Sequence, residues 1–310
     1  MCAVYGFLDY GKKINHKMLT KILRELSVAA EVRGTDATGI SYVRNNEMVT
    51  FKKASPAHKV RLFFPMGTTA VIGHTRMTTQ GSEKKNYNNH PFEGSSSRHR
   101  FSLAHNGVLY NEKEIRHEKQ LPQTKIETDS YIAVQLLEQG QTVDLASVKA
   151  MAEAVEGSFT FTILRDDNTL FLVKGTNPLA IYHYPEFGLY LYASTDKILQ
   201  TALQKSGFNP AYQLIPINDG DMIQINPDGT MKKNSFKILT RIDWQYHYDY
   251  LDWLCEDDDL LDICTCFGVS REDVHFLRSC GFASDEIEEL LLDTEYLQEL
   301  LHEMKSVSEK

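Results

Sequence analysis

Long apolar runs are missing from this sequence. No stretch of about eighteen uncharged apolar residues occurs, and the N-terminus has no basic segment followed by an apolar one. The first absence argues against a membrane-spanning helix, and the second against a secretory signal peptide. Because 42% of the 310 residues are hydrophobic, the chain can still bury a substantial core. We therefore expect a soluble, cytoplasmic globular protein of one large domain or two smaller ones.

Cysteine is scarce and unevenly placed. The five cysteines are Cys2, Cys255, Cys264, Cys266 and Cys280. An odd number, with four members late in the chain, suits a reducing compartment better than a disulfide scaffold. The late four, even together with His275, lack the paired C-x-x-C spacing of structural zinc sites. We expect free thiols, no bound metal and no cofactor.

Basic residues are few in the last part of the chain. Residues 241–310 contain 19 Asp and Glu against 5 Lys and Arg, a net charge of −14, whereas residues 1–240 have a net charge of +5. An acidic segment repels phosphate, and the small surplus of the rest offers no Lys/Arg stripe. Nucleic acid is therefore not expected as a partner.

Apolar periodicity predicts a layered α+β body followed by an acidic helical segment. Alternating residues after Cys2 predict a strand buried on both faces, and spacings of three and four predict helices. The predicted helices are Lys17–Glu31, Thr128–Gln139, Asp144–Val155 and Asp196–Gln204, and predicted hairpins turn at RDDN and PEFG. The stretch TTQGSEKKNYNNHPFEGSSSR is predicted to be one long functional loop. In the tail, Ser270 and Ser284 are predicted helix N-caps.

Polar residues cluster at the ends of these predicted elements. They are Cys2, the pair Arg33 and Gly34, the segments GHTRMTTQG and HNG, and Asp129. Ends of rigid elements are where catalytic groups are usually held. Each residue alone is more often structural, and His74 and His105 alone would be ordinary core histidines. Their order along the chain is more specific than any single motif.

That order resembles the class II glutamine amidotransferases, which are N-terminal nucleophile (Ntn) hydrolases. The matching segments are an early cysteine, RGTDATG, GHTRMTTQG, NNHP, HNG and the pair Thr128-Asp129. The resemblance implies an α+β fold, a four-layer αββα sandwich, with residues 1–238 forming the glutaminase domain. Residues 239–310 would be an acidic α-helical extension of unknown role.

The resemblance implies that Cys2 is the nucleophile. A thiol with a pKa near ~8.5 is mostly protonated at neutral pH and needs a base. Once Met1 is removed, the α-amino group of Cys2, with a pKa of about 7.7–8.0, can accept that proton. Asn106, through its side-chain amide, and Gly107, through its backbone N–H, would stabilise the oxyanion.

The resemblance also implies how L-glutamine is held. Arg76 suits the α-carboxylate because a guanidinium donates two parallel hydrogen bonds, and Asp129 suits the α-ammonium. Further substrate-binding residues would be Thr79, Gln80, His90 and Gly34, while Arg33 and His74 would be structural residues near the site.

The implied activity is glutamine hydrolysis through a Cys2 thioester, giving glutamate and ammonia. The acidic residues 239–310 contain no phosphate loop or dinucleotide fingerprint, so the ammonia acceptor is expected on a separate synthase protein. Two alternatives stay open: an Ntn hydrolase acting on another amide, and a non-catalytic binding module with the same fold. The sequence gives no prediction of oligomeric state.

Overall fold

The computed structural model describes residues 1–239, 260–261, 264, 267, 269–291 and 294–308. The chain divides into two compact units, one formed by Cys2–Thr240 and the other by Arg241–Lys310 together with Met1. Within the described ranges, no helix is long and apolar enough to cross a membrane. The division of roles between residues 1–238 and 239–310 stays a prediction.

Two antiparallel sheets form the larger unit. In chain order the strands are β1 (Ala3–Asp9), β2 (Ala37–Arg44), β3 (Glu47–Lys53), β4 (Ala70–Arg76), β5 (Phe92–Ser95), β6 (Arg100–Leu109), β7 (Gly157–Arg165), β8 (Leu170–Lys174), β9 (Ala180–Tyr184), β10 (Leu189–Ala193), β11 (Gln213–Leu214), β12 (Asp221–Ile225) and β13 (Met231–Ser235). The seven-stranded sheet has the order β11-β9-β10-β1-β4-β2-β3, and the six-stranded sheet has the order β13-β12-β8-β7-β6-β5. Strand β1 therefore lies in the middle of its sheet, as the apolar run after Cys2 predicted.

Helices cover the outer face of each sheet. They are α1 (His16–Ala29), α2 (Glu112–Glu118), α3 (Tyr131–Glu138), α4 (Leu145–Ala154) and α5 (Asp196–Ser206), and 3-10 turns occupy Ala30–Arg33, Ala57–Lys59 and Asn86–Asn88. Helix α1 begins after Asn15, whose side chain accepts a hydrogen bond from the backbone N–H of Met18. Helix α5 ends at Gly207, whose φ of 75° suits a residue without a Cβ. The four helices predicted in this unit are confirmed within a few residues.

Strand β1 shows how the layers stack. Tyr5 and Phe7 pack into a core with α1 and α5, whereas Val4 and Leu8 point the other way, into a core between the two sheets. On the far side of the six-stranded sheet, α3 and α4 complete a third core. Full burial of side chains of this size contributes roughly 1.5–3 kcal/mol each. The predicted four-layer αββα sandwich is confirmed.

Two local predictions were wrong. The stretch 78–98 is not one loop, because it contains the 3-10 turn Asn86–Asn88 and the short strand β5, which pairs with β6. The helix in the tail begins at Ser284, so the residue before it, Ala283, is the N-cap. There the backbone N–H of Ala283 donates to the Glu286 carboxylate at 2.9 Å. A short strand and a side chain reaching back to the backbone both lack a periodic signal.

The smaller unit is helical where it is described. Its helices are α6 (Arg271–Ser279), α7 (Ser284–Leu290) and α8 (Thr294–Ser308). Ser270 caps α6 as predicted, since its hydroxyl accepts from the backbone N–H of Asp273 at 3.1 Å. Val274, Ile287 and Leu297 are fully buried. The acidic run 256–259 lies outside the described residues.

Candidate active site

Arg33 joins the two sheets beside Cys2. It lies in the turn after α1, and its Nε donates to the backbone carbonyl of Cys2 at 2.9 Å. Its Nη2 donates to Oδ1 of Asn106, on β6 of the other sheet, at 3.5 Å. Arg33 is buried, so these contacts are shielded from water. The structure thus brings Cys2 and Asn106 together through Arg33, which contacts both. That Arg33 has a structural role beside the site stays a prediction.

The side-chain amide of Asn106 is oriented by this contact. With Oδ1 turned toward Arg33, Nδ2 points away from it and has no hydrogen-bond partner in the described part of the chain. The residue has no exposed surface. An unsatisfied buried donor costs about 1–3 kcal/mol. The site therefore holds a buried N–H donor with no protein acceptor.

Gly107 is required by its surroundings. Its φ is +137°, a backbone angle that residues with a side chain rarely adopt. A Cβ at this position would lie 1.9 Å from the carbonyl oxygen of Ser158 and 2.7 Å from Nδ2 of Asn177. Asn177 Nδ2 in turn donates to the carbonyl of Asn106 at 3.0 Å. The Asn106–Gly107 segment is thus fixed by packing that permits no larger residue.

The thiol of Cys2 is held at the end of the neighbouring strand. Its Sγ lies 3.5 Å from the backbone carbonyl oxygen of Met77. Burial raises the pKa of the Cys2 thiol, and the positive charge of Arg76 acts against that rise. A thiol with a raised pKa is protonated at neutral pH and needs a base before it can attack.

Gly34 allows this end of β4 to lie against the turn after α1. Its φ of 170° is ordinary extended backbone. A Cβ, however, would lie 2.4 Å from the carbonyl carbon of Arg76 and 2.5 Å from the backbone nitrogen of Met77. Glycine is therefore required at position 34 because the backbone of Arg76 and Met77 lies so close to it, as expected for this residue type. This close approach fixes where β4 ends.

The guanidinium of Arg76 is held by neutral oxygens. Nη1 donates to Oδ1 of Asn89 at 2.7 Å, and Nη2 donates to the carbonyls of Gln80 at 2.6 Å and Gly81 at 3.4 Å. Burial lowers the pKa of Arg76, against the opposing effects of Cys2, Asp36 and Asp129. Its hydrogen-bond partners in the described ranges include no carboxylate. The cation is oriented but keeps its capacity to pair with an anion.

Asp129 precedes α3 and is tied to the end of β6. Its Oδ2 accepts from the backbone N–H of Leu109 at 2.6 Å, and its Oδ1 accepts from the Ser130 hydroxyl at 3.2 Å. It is buried, and its charge raises the pKa of both Cys2 and Arg76. The structure thus brings the buried anion Asp129 and the buried cation Arg76 close to the thiol.

Gln80 and Thr79 form the exposed edge of this group. Gln80 Oε1 accepts from the backbone N–H of Asp129 at 3.0 Å, and its Nε2 donates to a carboxylate oxygen of Glu112 at 3.3 Å. Through its own carbonyl it also binds Arg76. Gln80 therefore connects both charged residues, while direct contacts of Gln80 and Thr79 with substrate stay predictions.

Three buried histidines lie close to one another. The His74 and His90 rings lie 4.2 Å apart, and His74 Nε2 is 2.9 Å from the carbonyl oxygen of His105. Burial lowers the pKa of all three histidines, that of His74 to about 3. All three are neutral at physiological pH. The structure places His90 in the interior, stacked on His74 and Phe92, so its predicted contact with substrate stays a prediction.

A comparison with models of protein families finds one that matches part of this chain. Residues 74–201 match the model of the glutamine amidotransferase domain. This part of the chain is similar to a glutamine amidotransferase domain. It contains the end of β4 with Arg76, the Asn106–Gly107 segment and Asp129.

Curated relatives share the amidotransferase domain over part of their length. The glutamine–fructose-6-phosphate aminotransferase (isomerizing) of Bacillus cereus is 32% identical over 189 residues, which are 58% of this chain and 30% of the relative. The enzyme of the same name from Staphylococcus aureus is 31% identical over 190 residues, again 58% and 30%. The chain thus spans less than a third of the length of these relatives.

Two solved structures share the fold of this chain. The glutamine phosphoribosylpyrophosphate amidotransferase of B. subtilis, complexed with ADP and GMP, superposes with a TM-score of 0.59 at 21% identity. A structure described as the allosteric regulatory enzyme of purine biosynthesis gives a TM-score of 0.61 at 20% identity. Each similarity covers 77% of this chain and 50% of the other chain. The predicted fold is confirmed on this second ground.

Sequence reasoning missed several residues that shape the amidotransferase site. Asp36 Oδ2 accepts from the backbone N–H of Thr78 at 2.7 Å and so holds the start of the segment after β4. Asn89 orients Arg76, and Asn177 supports Asn106. Asp36 and Asn89 lie inside the quoted motifs RGTDATG and NNHP, so their position was a usable signal. Asn177 offered none.

The structure bears on part of the prediction of free thiols and no bound metal. Cys2, Cys264 and Cys280 are free thiols. Among the described residues, no group of three His, Cys, Asp or Glu could hold a metal ion. Cys255 and Cys266 lie outside the described residues, so the expectation of a metal-free tail stays a prediction.

Proposed function

We propose that this amidotransferase domain hydrolyses the side-chain amide of L-glutamine, with Cys2 as nucleophile. After removal of Met1, the α-amine of Cys2 accepts the thiol proton, and Sγ attacks the amide carbon. The C–N bond then breaks, the amine returns the proton to the leaving nitrogen, and ammonia departs. Water hydrolyses the resulting thioester to glutamate and restores the thiol.

The observation that carries the proposal is the unpartnered amide of Asn106. Among the described residues, this buried donor has no acceptor, and Arg33 links the side chain of Asn106 to the backbone carbonyl of Cys2. Such a cost is expected where charge develops during a reaction, because a fixed donor stabilises an oxyanion without having to reorganise. Gly107 follows Asn106 directly and supplies the second proposed donor through its backbone N–H.

The charged residues support an α-amino acid as the substrate. Arg76 is oriented by neutral oxygens and can pair with the α-carboxylate. Asp129 can accept from the α-ammonium, and both charges act on Cys2. An amide without these two groups would leave two buried charges unpaired. The family resemblance assigns Thr79 and Gln80 to the same end of the ligand, and it implies that His90 and Gly34 also bind substrate.

A covalent trapping experiment tests the proposal. The full chain is incubated with a diazoketone analogue of glutamine, the adduct is located by mass spectrometry, and glutamine hydrolysis is measured in parallel. We expect one adduct on Cys2 in a chain that lacks Met1, and loss of both adduct and activity in Cys2→Ala. Cys280→Ala is the matched control, because Cys280 is a free, exposed thiol, and it should behave as wild type.

The same experiment separates the alternatives. Retained Met1 without adduct or turnover would contradict the proposal and favour a non-catalytic binding module. An adduct on Cys2 without glutamine turnover would instead favour hydrolysis of another amide.

We further propose that the ammonia is used by a separate, cytoplasmic synthase protein. Support comes from residues 239–310, which are strongly acidic. Such a segment can dock on a basic surface. The test compares partner recovery by the full chain and by a chain ending at residue 240, at low and high salt. Recovered partner should raise the rate of glutamine hydrolysis, and equal recovery by both chains would contradict a docking role for the acidic segment.

A further inference from the structure

Lys52 connects an edge strand to the segment that holds Arg76. It lies on β3, the last strand of the seven-stranded sheet. Its side chain passes over the ring of Phe92, with Nζ 4.9 Å from the ring centroid, and donates to the backbone carbonyl of Asn89 at 2.7 Å. In the opposite direction, Nδ2 of Asn86 donates to the carbonyl of Lys52 at 2.9 Å. Two hydrogen bonds therefore join β3 to residues 86–89.

Asn89 passes this connection on to Arg76. Its side chain is fully buried, and Oδ1 accepts from Nη1 of Arg76 at 2.7 Å. Its Nδ2 donates to the carbonyl of Glu83 at 2.8 Å and lies 3.2 Å from Oδ1 of Asn86. With both ends of the amide engaged, rotation of Asn89 would break several hydrogen bonds at once. The position of its backbone therefore sets the direction of the Arg76 guanidinium.

Lys52 also borders an open cleft. A cleft of about 330 Å³ lies beside the segment, and its lining includes Lys52, Tyr87, Phe92, Glu93 and Tyr131. Burial lowers the pKa of Lys52 to about 8; Glu93 opposes this effect, and Arg76 adds to it. A partly buried lysine that donates to the segment orienting Arg76 has a role beyond solubility.

We infer that Lys52 is a positioning residue for Arg76, acting through Asn89, and that it sets the affinity of the site for the α-carboxylate end of glutamine. This inference rests on the proposed glutaminase function. Lys52 touches neither the reacting atoms nor the proposed substrate. Its removal should therefore weaken substrate binding and leave the chemical step intact.

Steady-state kinetics of three variants test the inference. Lys52→Met keeps the apolar stem over Phe92 and removes the donor, so we expect KM for glutamine to rise about fivefold, with kcat within about twofold of wild type. Lys52→Arg restores a cationic donor and should return KM most of the way. Lys53→Met is the matched control, because Lys53 is the exposed neighbour on the same strand, and its KM should not change.

A double-mutant comparison tests the route through Asn89. Asn89→Ala removes the side-chain acceptor of Arg76 and should raise KM more than Lys52→Met does. Because Lys52 acts through the same residue, adding Lys52→Met to Asn89→Ala should raise KM by less than twofold further. Additive effects would overturn the route, and melting temperatures would show whether each variant is folded.

The outcomes also separate this inference from the proposed function. Wild-type turnover with an unchanged KM in folded Lys52→Met would overturn the role of Lys52 alone. A fall in kcat at constant KM would do the same. Absence of glutamine turnover and of Cys2 labelling in wild type would overturn the proposed function and, with it, the role of Lys52.

Discussion

The two ends of the candidate site are built in different ways. The reaction end consists of Cys2, Asn106 and Gly107, which lie on or beside central strands and are fixed by contacts between the two sheets. The recognition end consists of Arg76 and Asp129, which depend on the segment after β4 and on the hydrogen bonds that they donate to Asn89 and Gln80. Regular structure holds the atoms that would react, and a folded loop holds those that would select. Substitutions at the two ends should therefore separate kcat from KM.

The largest effect is expected from Asn106→Ala at the reaction end. Removing one oxyanion donor typically lowers kcat by about 10²–10³-fold, and KM should change little because the charged residues remain. Steady-state glutamine hydrolysis measures both constants. The control is Asn209→Ala, since Asn209 is exposed before Pro210. A rise in KM with normal kcat would place Asn106 at the recognition end and break the comparison.

Arg76→Lys should give the next largest effect, at the recognition end. Lysine keeps the charge but cannot donate two parallel hydrogen bonds to a carboxylate or span both Asn89 and Gln80. We expect KM for glutamine to rise about 10–100-fold, with a much smaller change in kcat, as for loss of a charge-assisted bond. Arg24→Lys, on the exposed face of α1, serves as control. An equal loss in kcat alone would show that Arg76 acts on the reaction.

The reaction end was the easier one to predict from sequence. The apolar run after Cys2 predicted a central strand, and the spacing of Leu19, Ile22, Leu23 and Leu26 predicted α1. FSLAHNG was predicted to be a buried strand that ends in polar residues, and the structure places Asn106 and Gly107 near the end of β6. Periodicity and turn chemistry depend on residues that are close together in the sequence, and so do these helices and strands.

The recognition end was predicted in type but not in construction. The charges of Arg76 and Asp129 pointed to a zwitterion, but residues 78–98 were predicted to be one long functional or mobile loop. Its fold depends on single side chains that bind distant backbone, such as Lys52 to Asn89 and Asp36 to Thr78. Those bonds join residues 37 and 42 positions apart, and no periodic pattern records them.

Acidification should lower the stability of the fold where the two ends of the site meet. His74 precedes Arg76 on β4, and His105 precedes Asn106 on β6. Nε2 of His74 is hydrogen-bonded to the backbone carbonyl of His105. Because burial lowers the pKa of the histidines, that of His74 to about 3, the unfolded chain takes up protons first as pH falls below about 6.5. The full stability is thus present above about pH 6.5 and is lost progressively as pH falls toward 3.

Thermal melting between pH 8 and 5 measures this dependence. We expect a constant Tm from pH 8 to 7 and a steady fall below about 6.5, before ordinary carboxyl groups titrate. Near-UV circular dichroism of tyrosine is the suitable signal, because both tryptophans, Trp244 and Trp253, lie outside the larger unit. His74→Gln should flatten the slope. A Tm that does not vary down to pH 5 would show that protonation of the buried histidines does not limit stability.

The smallest effect is expected from Gln80→Ala, which tests how much of the recognition end depends on side chains. Gln80 is exposed, and the 2.6 Å hydrogen bond from Arg76 goes to its backbone carbonyl, which alanine retains. Only the side-chain bonds to Asp129 and Glu112 are lost, and water can replace them at the surface. We expect KM to rise about two- to threefold with kcat unchanged, against no change in Gln204→Ala on the exposed face of α5. A rise of more than about tenfold would mean that the Gln80 side chain itself holds Asp129 or the substrate, and that the recognition end is less fixed by its backbone than the contacts of Arg76 imply.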